Sequence, residues 1–213
     1  MFSHFNLISF VIFIAVLIIA ITVHEFSHAF VANMLGDPTP RMQRRLSLNP
    51  MNHLDPLGTI MMVITSLTGF GFGWGKPVMT NPYNFKNPKR DQSIVALAGP
   101  VSNLIQATIY AMIFRSIFQF NANVSLLETF LFVGIQINLF LAFFNLIPIS
   151  PLDGHWIMIA LLPRKSSMVY ERWMNSWGPL VFLLIVFLAP GLLSQVLGPP
   201  VNFCIHLLVP QLG

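Results

Sequence analysis

Residues 5–35 form an apolar run without a single Lys or Arg, yet "TVHEFSHAF" at 22–30 places two histidines and a glutamate inside it. As a helix, 31 residues reach about 46 Å, more than the roughly 30 Å of bilayer hydrocarbon. Such a run has few fates: it lies in lipid, and its polar groups then need a compensating partner, because ionisable side chains at that depth are costly. It has no basic n-region, so it is expected to be a retained span rather than a cleaved signal.

The rest of the 213-residue chain points the same way. It is 55% hydrophobic and 8% charged, against about 25% charged in soluble domains. Too little polar surface remains to cover a globule in water. The net charge of +4 could suggest nucleic acid, but its placement argues against that partner. Ten of the eleven basic residues fall in three loops: Arg41, Arg44 and Arg45; Lys76, Lys86, Lys89 and Arg90; and Arg164, Lys165 and Arg172. Basic loops between apolar runs mark the cytosolic side of a membrane protein. The single cysteine, Cys204, excludes an internal disulfide and a cysteine-based metal site.

The expected fold class is an all-α polytopic membrane protein, one domain over residues 1–213. Full spans are expected at 5–35, 93–118, 126–147 and 175–196, with a short apolar tail at 200–210. The core runs over about 5–162, and the C-terminal span and tail over 175–213. Residues 57–69 are apolar but too short to cross. If they crossed, the first two basic loops would lie on opposite sides, so a re-entrant segment is expected, with the N-terminus outside. In "GFGFGWGKPV", 69–78, glycines alternate with aromatics, and a period of two predicts a short membrane-embedded β-hairpin. The spans break at "NLIPISPLDGHW", 145–156, where prolines prevent a regular helix.

His24 and His28 stand four residues apart, on one helix face. Two imidazoles there can reach one zinc ion, and Glu25, rotated by about 100°, stands beside it as a candidate general base. A catalytic zinc takes a third protein ligand and keeps a position for water. Among seven acidic residues, only Asp153 follows an apolar span through a proline break. Two alternatives stay open: Asp153 as the N-cap of the next helix, and His155 as the ligand in its place.

At these residues the chain resembles the site-2 protease family of intramembrane zinc metalloproteases. The resemblance covers residues 20 to 160 and rests on "HEFSH", "RLSLNPMNHLDPLGTI", "GWGKPV", "NPYNFKNPKRD", "ALAGPVSNL" and "NLIPISPLDG", in that order. It implies one zinc per chain on His24, His28 and Asp153, with Glu25 as base. It places Asn103, from "GPVSN", and Asn145 near the active site, where side-chain amides suit an oxyanion or the scissile carbonyl. It likens 69–78 to the family's membrane-re-entrant β-loop, whose physical use would be strand addition to an unwound transmembrane substrate; a hairpin that only covers the site is the alternative. No PDZ or CBS domain is visible, which suggests a compact member.

The expected function is hydrolysis of peptide bonds in or beside transmembrane segments, in the plasma membrane of a prokaryote, with the site opening to the cytosol. The partners are then a transmembrane substrate and the bilayer. A catalytically inactive relative and a metal-site transporter are the alternatives.

Overall fold

The computed structural model describes residues 7–67, 73–119 and 125–210. The described residues are organised as helices and contain no sheet. The long first run becomes α1, Leu7–Met34. It stops at Gly36, whose φ of 104° is open to glycine at no steric cost. There the Asp37 amide donates to the Ala32 carbonyl at 3.0 Å and the Gly36 amide to Asn33 at 3.2 Å, a Schellman closure.

A short helix α2, Thr39–Met42, and a single turn at Pro50–Asn52 lead into α3, Pro56–Leu67. Asp55 caps α3 by accepting from the Gly58 amide at 2.8 Å. The next long helix is α4, Pro88–Gln119, followed by α5, Ser125–Asn145. After the proline-rich break come α6, Asp153–Leu161, α7, Arg164–Leu188, and α8, Pro190–Leu208.

Helix α4 sits centrally and touches α1, α5, α6 and α8. Its core contact with α5 joins Ala107, Ala111 and Phe114 to Leu131, Ile135 and Leu139. Helix α8 closes that cluster with Val201, Cys204, Ile205 and Leu208, which gives Cys204 a packing role. On the other side, Leu17 and Ile21 of α1 pack on Met62 of α3. Outward positions stay apolar, among them Leu7, Val11, Ile105, Ile109 and Met112, as a lipid-facing surface requires.

Four helices among the described residues are long and apolar enough to cross a membrane: Leu7–Met34, Pro88–Ile117, Ser125–Asn145 and Gly191–Leu208. The first three match the expected spans. The fourth corrects the expectation of a span at 175–196. Pro190 has no amide to continue α7, so the apolar stretch breaks at Ala189 and the expected tail at 200–210 belongs mostly to α8.

The expected β-hairpin finds no support among the described residues. Residues 69–72 lie outside the described residues. Residues 73–78 make one isolated bridge, Gly75 to Leu54, and no strand. Their backbone groups are taken by other partners: Lys76 donates to the His53 carbonyl, Val78 donates to Glu25, and Arg45 donates to the carbonyls of Lys76 and Pro77. Close packing explains at least one of the alternating glycines. A Cβ on Gly73 would stand 2.4 Å from Cβ of Met62. Helix α3 has 12 residues, about 18 Å, too short to cross. Nothing in it supports re-entry.

Candidate active site

Helix α1 supplies His24, Glu25 and His28, and α6 supplies Asp153 as its first residue. The N-cap position belongs to Leu152, so Asp153 is free of the capping role. The site forms where α4 crosses both helices, and Gly99 makes the crossing possible. A Cβ there would lie 2.5 Å from Nε2 of His24 and from Nε2 of His28. Gly154 is also chosen for space, since a Cβ would stand 2.3 Å from the Leu146 carbonyl. It has no left-handed φ.

Nε2 of His24 lies 3.0 Å from Nε2 of His28 and 3.2 Å from Oδ2 of Asp153. Nε2 of His28 lies 3.4 Å from Oδ1 of Asp153. Metal–ligand bonds of about 2.1 Å in a tetrahedron put ligand atoms about 3.4 Å apart, so the spacing fits zinc.

The donor chemistry fits too. Nδ1 of His28 lies 2.7 Å from the Val95 backbone carbonyl, which can only accept. Nδ1 of His24 lies 2.6 Å from Oδ1 of Asn103. Both rings therefore carry their proton on Nδ1 and turn an Nε2 lone pair to the centre. With both rings neutral, two lone pairs and a carboxylate converge there. A cation is what makes that arrangement stable.

Glu25 stands beside this centre, its Oε2 accepting from the Val78 amide at 3.2 Å. That amide is held in place from behind. Arg45 is 3% exposed and donates to the carbonyls of Asn52, Lys76 and Pro77. A buried guanidinium is costly unless its donors are satisfied, and here they fasten the 76–78 segment against Glu25.

His24, Glu25, His28 and Asp153 line one cavity of about 500 Å³ with Asn145. Its other walls are largely apolar: Trp74, Phe144, Trp156, and Phe182 and Leu183 of α7. Asn145 donates to the Leu141 carbonyl of its own helix at 3.0 Å. Asn103 is not among the lining residues; it is fully buried behind His24. His155 is buried outside the ligand cluster, its ring 5.4 Å from that of Tyr170.

A family profile described as peptidase family M50 matches residues 12–188. The chain belongs to this family of site-2 proteases. Its relatives include YwhC of Bacillus subtilis, 40% identical over 198 residues, which cover 87% of this chain and 84% of that protein. Rip2 of Mycobacterium tuberculosis is 30% identical over 198 residues, covering 89% and 71%. Rip2 of Mycolicibacterium smegmatis is 28% identical over 186 residues, covering 86% and 69%. All three carry the name of a zinc metalloprotease. No solved structure matches the chain. M50 membership and the apolar helices make this a multi-pass membrane metalloprotease, and zinc the metal its family implies.

Asn138 was not among the residues singled out from sequence. It is fully buried on α5 and bonded to Asn103. A signal existed: it lies seven residues before Asn145 in an apolar span, on the same helix face.

Proposed function

We propose that this M50 protein is a zinc-dependent endopeptidase that hydrolyses peptide bonds in or next to transmembrane segments. The observation that carries the reading is Glu25. It shares a cavity with the His24–His28–Asp153 cluster, whose two histidines are buried, built between apolar helices. A relative that only bound membrane proteins would have no use for a carboxylate there.

His24, His28 and Asp153 would hold the zinc ion, which when bound would supply Lewis-acid polarisation of the scissile carbonyl and a water of near-neutral pKa. Glu25 takes a proton from the attacking water and delivers it to the leaving amine. The Val78 amide keeps one oxygen of that carboxylate in place. Asn145, on the cavity wall, offers its remaining amide hydrogen to the carbonyl oxygen. Trp74, Phe144, Trp156 and Phe182 enclose an apolar side chain of the substrate.

The substrate must present an extended backbone, since a transmembrane helix has its amides already paired. Gly73, Trp74 and Gly75 line the cavity, which supports an unwound substrate laid against the Gly69–Val78 segment. The basic residues between the apolar runs support an N-terminus outside and a site opening to the cytosol, in the plasma membrane of a prokaryotic cell.

The test is Glu25→Gln, with cleavage of a membrane-reconstituted transmembrane peptide as the assay. Zinc stays bound and the rate falls by roughly 10²–10⁴. A variant that cuts at the wild-type rate removes Glu25 from the mechanism.

A further inference from the structure

A buried amide chain runs from α5 through α4 to the first histidine on α1. Nδ2 of Asn138 donates to the Gly134 backbone carbonyl at 2.9 Å. Oδ1 of Asn138 accepts from Nδ2 of Asn103 at 2.8 Å. Oδ1 of Asn103 then faces Nδ1 of His24 at 2.6 Å. Asn103 and Asn138 are both 0% exposed.

An amide can be turned either way in isolation, but this chain has one consistent direction. The Gly134 carbonyl can only accept, so Asn138 must turn its NH₂ there and its oxygen to Asn103. Asn103 must then turn its NH₂ to Asn138 and its oxygen to His24. His24 must therefore carry a proton on Nδ1, and in the neutral ring this leaves Nε2 bare. We infer that Asn138 is a positioning residue: through the orientation of Asn103, it selects the His24 tautomer that can ligate the metal. The inference rests on the zinc reading of His24, His28 and Asp153.

The physical consequence is specific. Without the Asn138 oxygen, nothing stops the Asn103 amide from rotating. Its NH₂ would then face Nδ1 of His24 and favour the proton on Nε2, where the metal should bind. The other ligand has a different safeguard, because His28 is held by a backbone carbonyl that cannot rotate. Asn103 is fully buried and off the cavity wall, which makes it an orienting group for a ligand rather than a donor to substrate. Partners that orient a metal ligand typically change metal affinity by 10- to 100-fold when removed.

The test uses the full-length protein in detergent, stripped with a chelator and titrated with zinc against a chromophoric competitor. Asn138→Leu weakens zinc by about 10- to 100-fold, and Asn103→Leu weakens it at least as much. The double variant binds zinc no worse than Asn103→Leu alone, because the second residue acts through the first. Equal zinc affinity in Asn138→Leu and the unmodified protein overturns the inference, as does a double variant that loses the sum of both effects. A second readout needs no folded variant at position 138: the ¹⁵N shifts of His24 in the metal-free unmodified protein. They report an Nδ1 proton if the inference is right and an Nε2 proton if it is wrong. Failure of the unmodified protein to take up zinc is a different result, and it overturns the metalloprotease reading instead.

Discussion

Gly99→Ala adds one methyl group at the crossing of α4 and α1. Its Cβ would stand 2.5 Å from Cε1 and Nε2 of His24 and from Nε2 of His28. Ordinary contact is about 3.5 Å, so each ring must retreat by about 1 Å. Neither ring is free to do so, because Nδ1 of His24 is held by Asn103 and Nδ1 of His28 by Val95. Zinc ligation tolerates errors of only about 0.2 Å. The variant is therefore expected to lose zinc affinity by at least about 100-fold, while overpacking costs the fold only about 1–3 kcal/mol. The assay is zinc per chain after gel filtration, with a thermal melt of the same sample. Gly198→Ala is the control, since a Cβ there meets nothing within 4 Å. Full zinc occupancy in folded Gly99→Ala would refute the idea that α4 packs directly against the metal ligands.

Two further predictions concern the loops that fasten the site. Asp37 is fully buried; burial pushes its carboxyl up, but bonds from Thr39, Asn84 and the Asn81 amide outweigh this and hold it below the usual carboxylate range. A lowered folded value means that this stabilisation is complete above about pH 4, the unfolded value, and is lost as pH falls through the folded one. Asp37→Asn should lower stability at neutral pH by about 2 kcal/mol and flatten the acid limb of the melting temperature; an unchanged limb contradicts the assignment. Arg45→Met leaves three carbonyls without their donor and should cost about 3 kcal/mol, seen as a lower melting midpoint and slower cleavage. An unchanged midpoint would show that the guanidinium does not fasten the 76–78 segment.

Much of the site was legible because its spacing is local. His24, Glu25 and His28 lie within about one helical turn, and helix periodicity alone puts the two histidines on one face. The placement of Asp153 beside the two histidines was legible by elimination, as the acid that follows a span through a proline break. The role of Asn138 was not, because a lone amide in an apolar span has the same appearance whether it glues two helices or orients a ligand. Only the Gly134 carbonyl and the Asn103 contact tell these apart. Residues 73–78 misled for a related reason: alternation of glycine and aromatics marks a period of two, yet at Gly73 the missing side chain makes room for α3. The last span shifted because hydropathy sums side chains and does not register the amide that Pro190 lacks. The outward apolar surface was predictable in kind, since composition alone demands lipid.

The central claim is that His24, His28 and Asp153 together hold one catalytic zinc. Metal content of the detergent-purified protein, measured beside Asp153→Ala, tests it most directly. The account predicts about one zinc per chain in the unmodified protein and a marked loss in Asp153→Ala, with both chains folded. Equal zinc in the two proteins would contradict it, because the third ligand would then lie elsewhere.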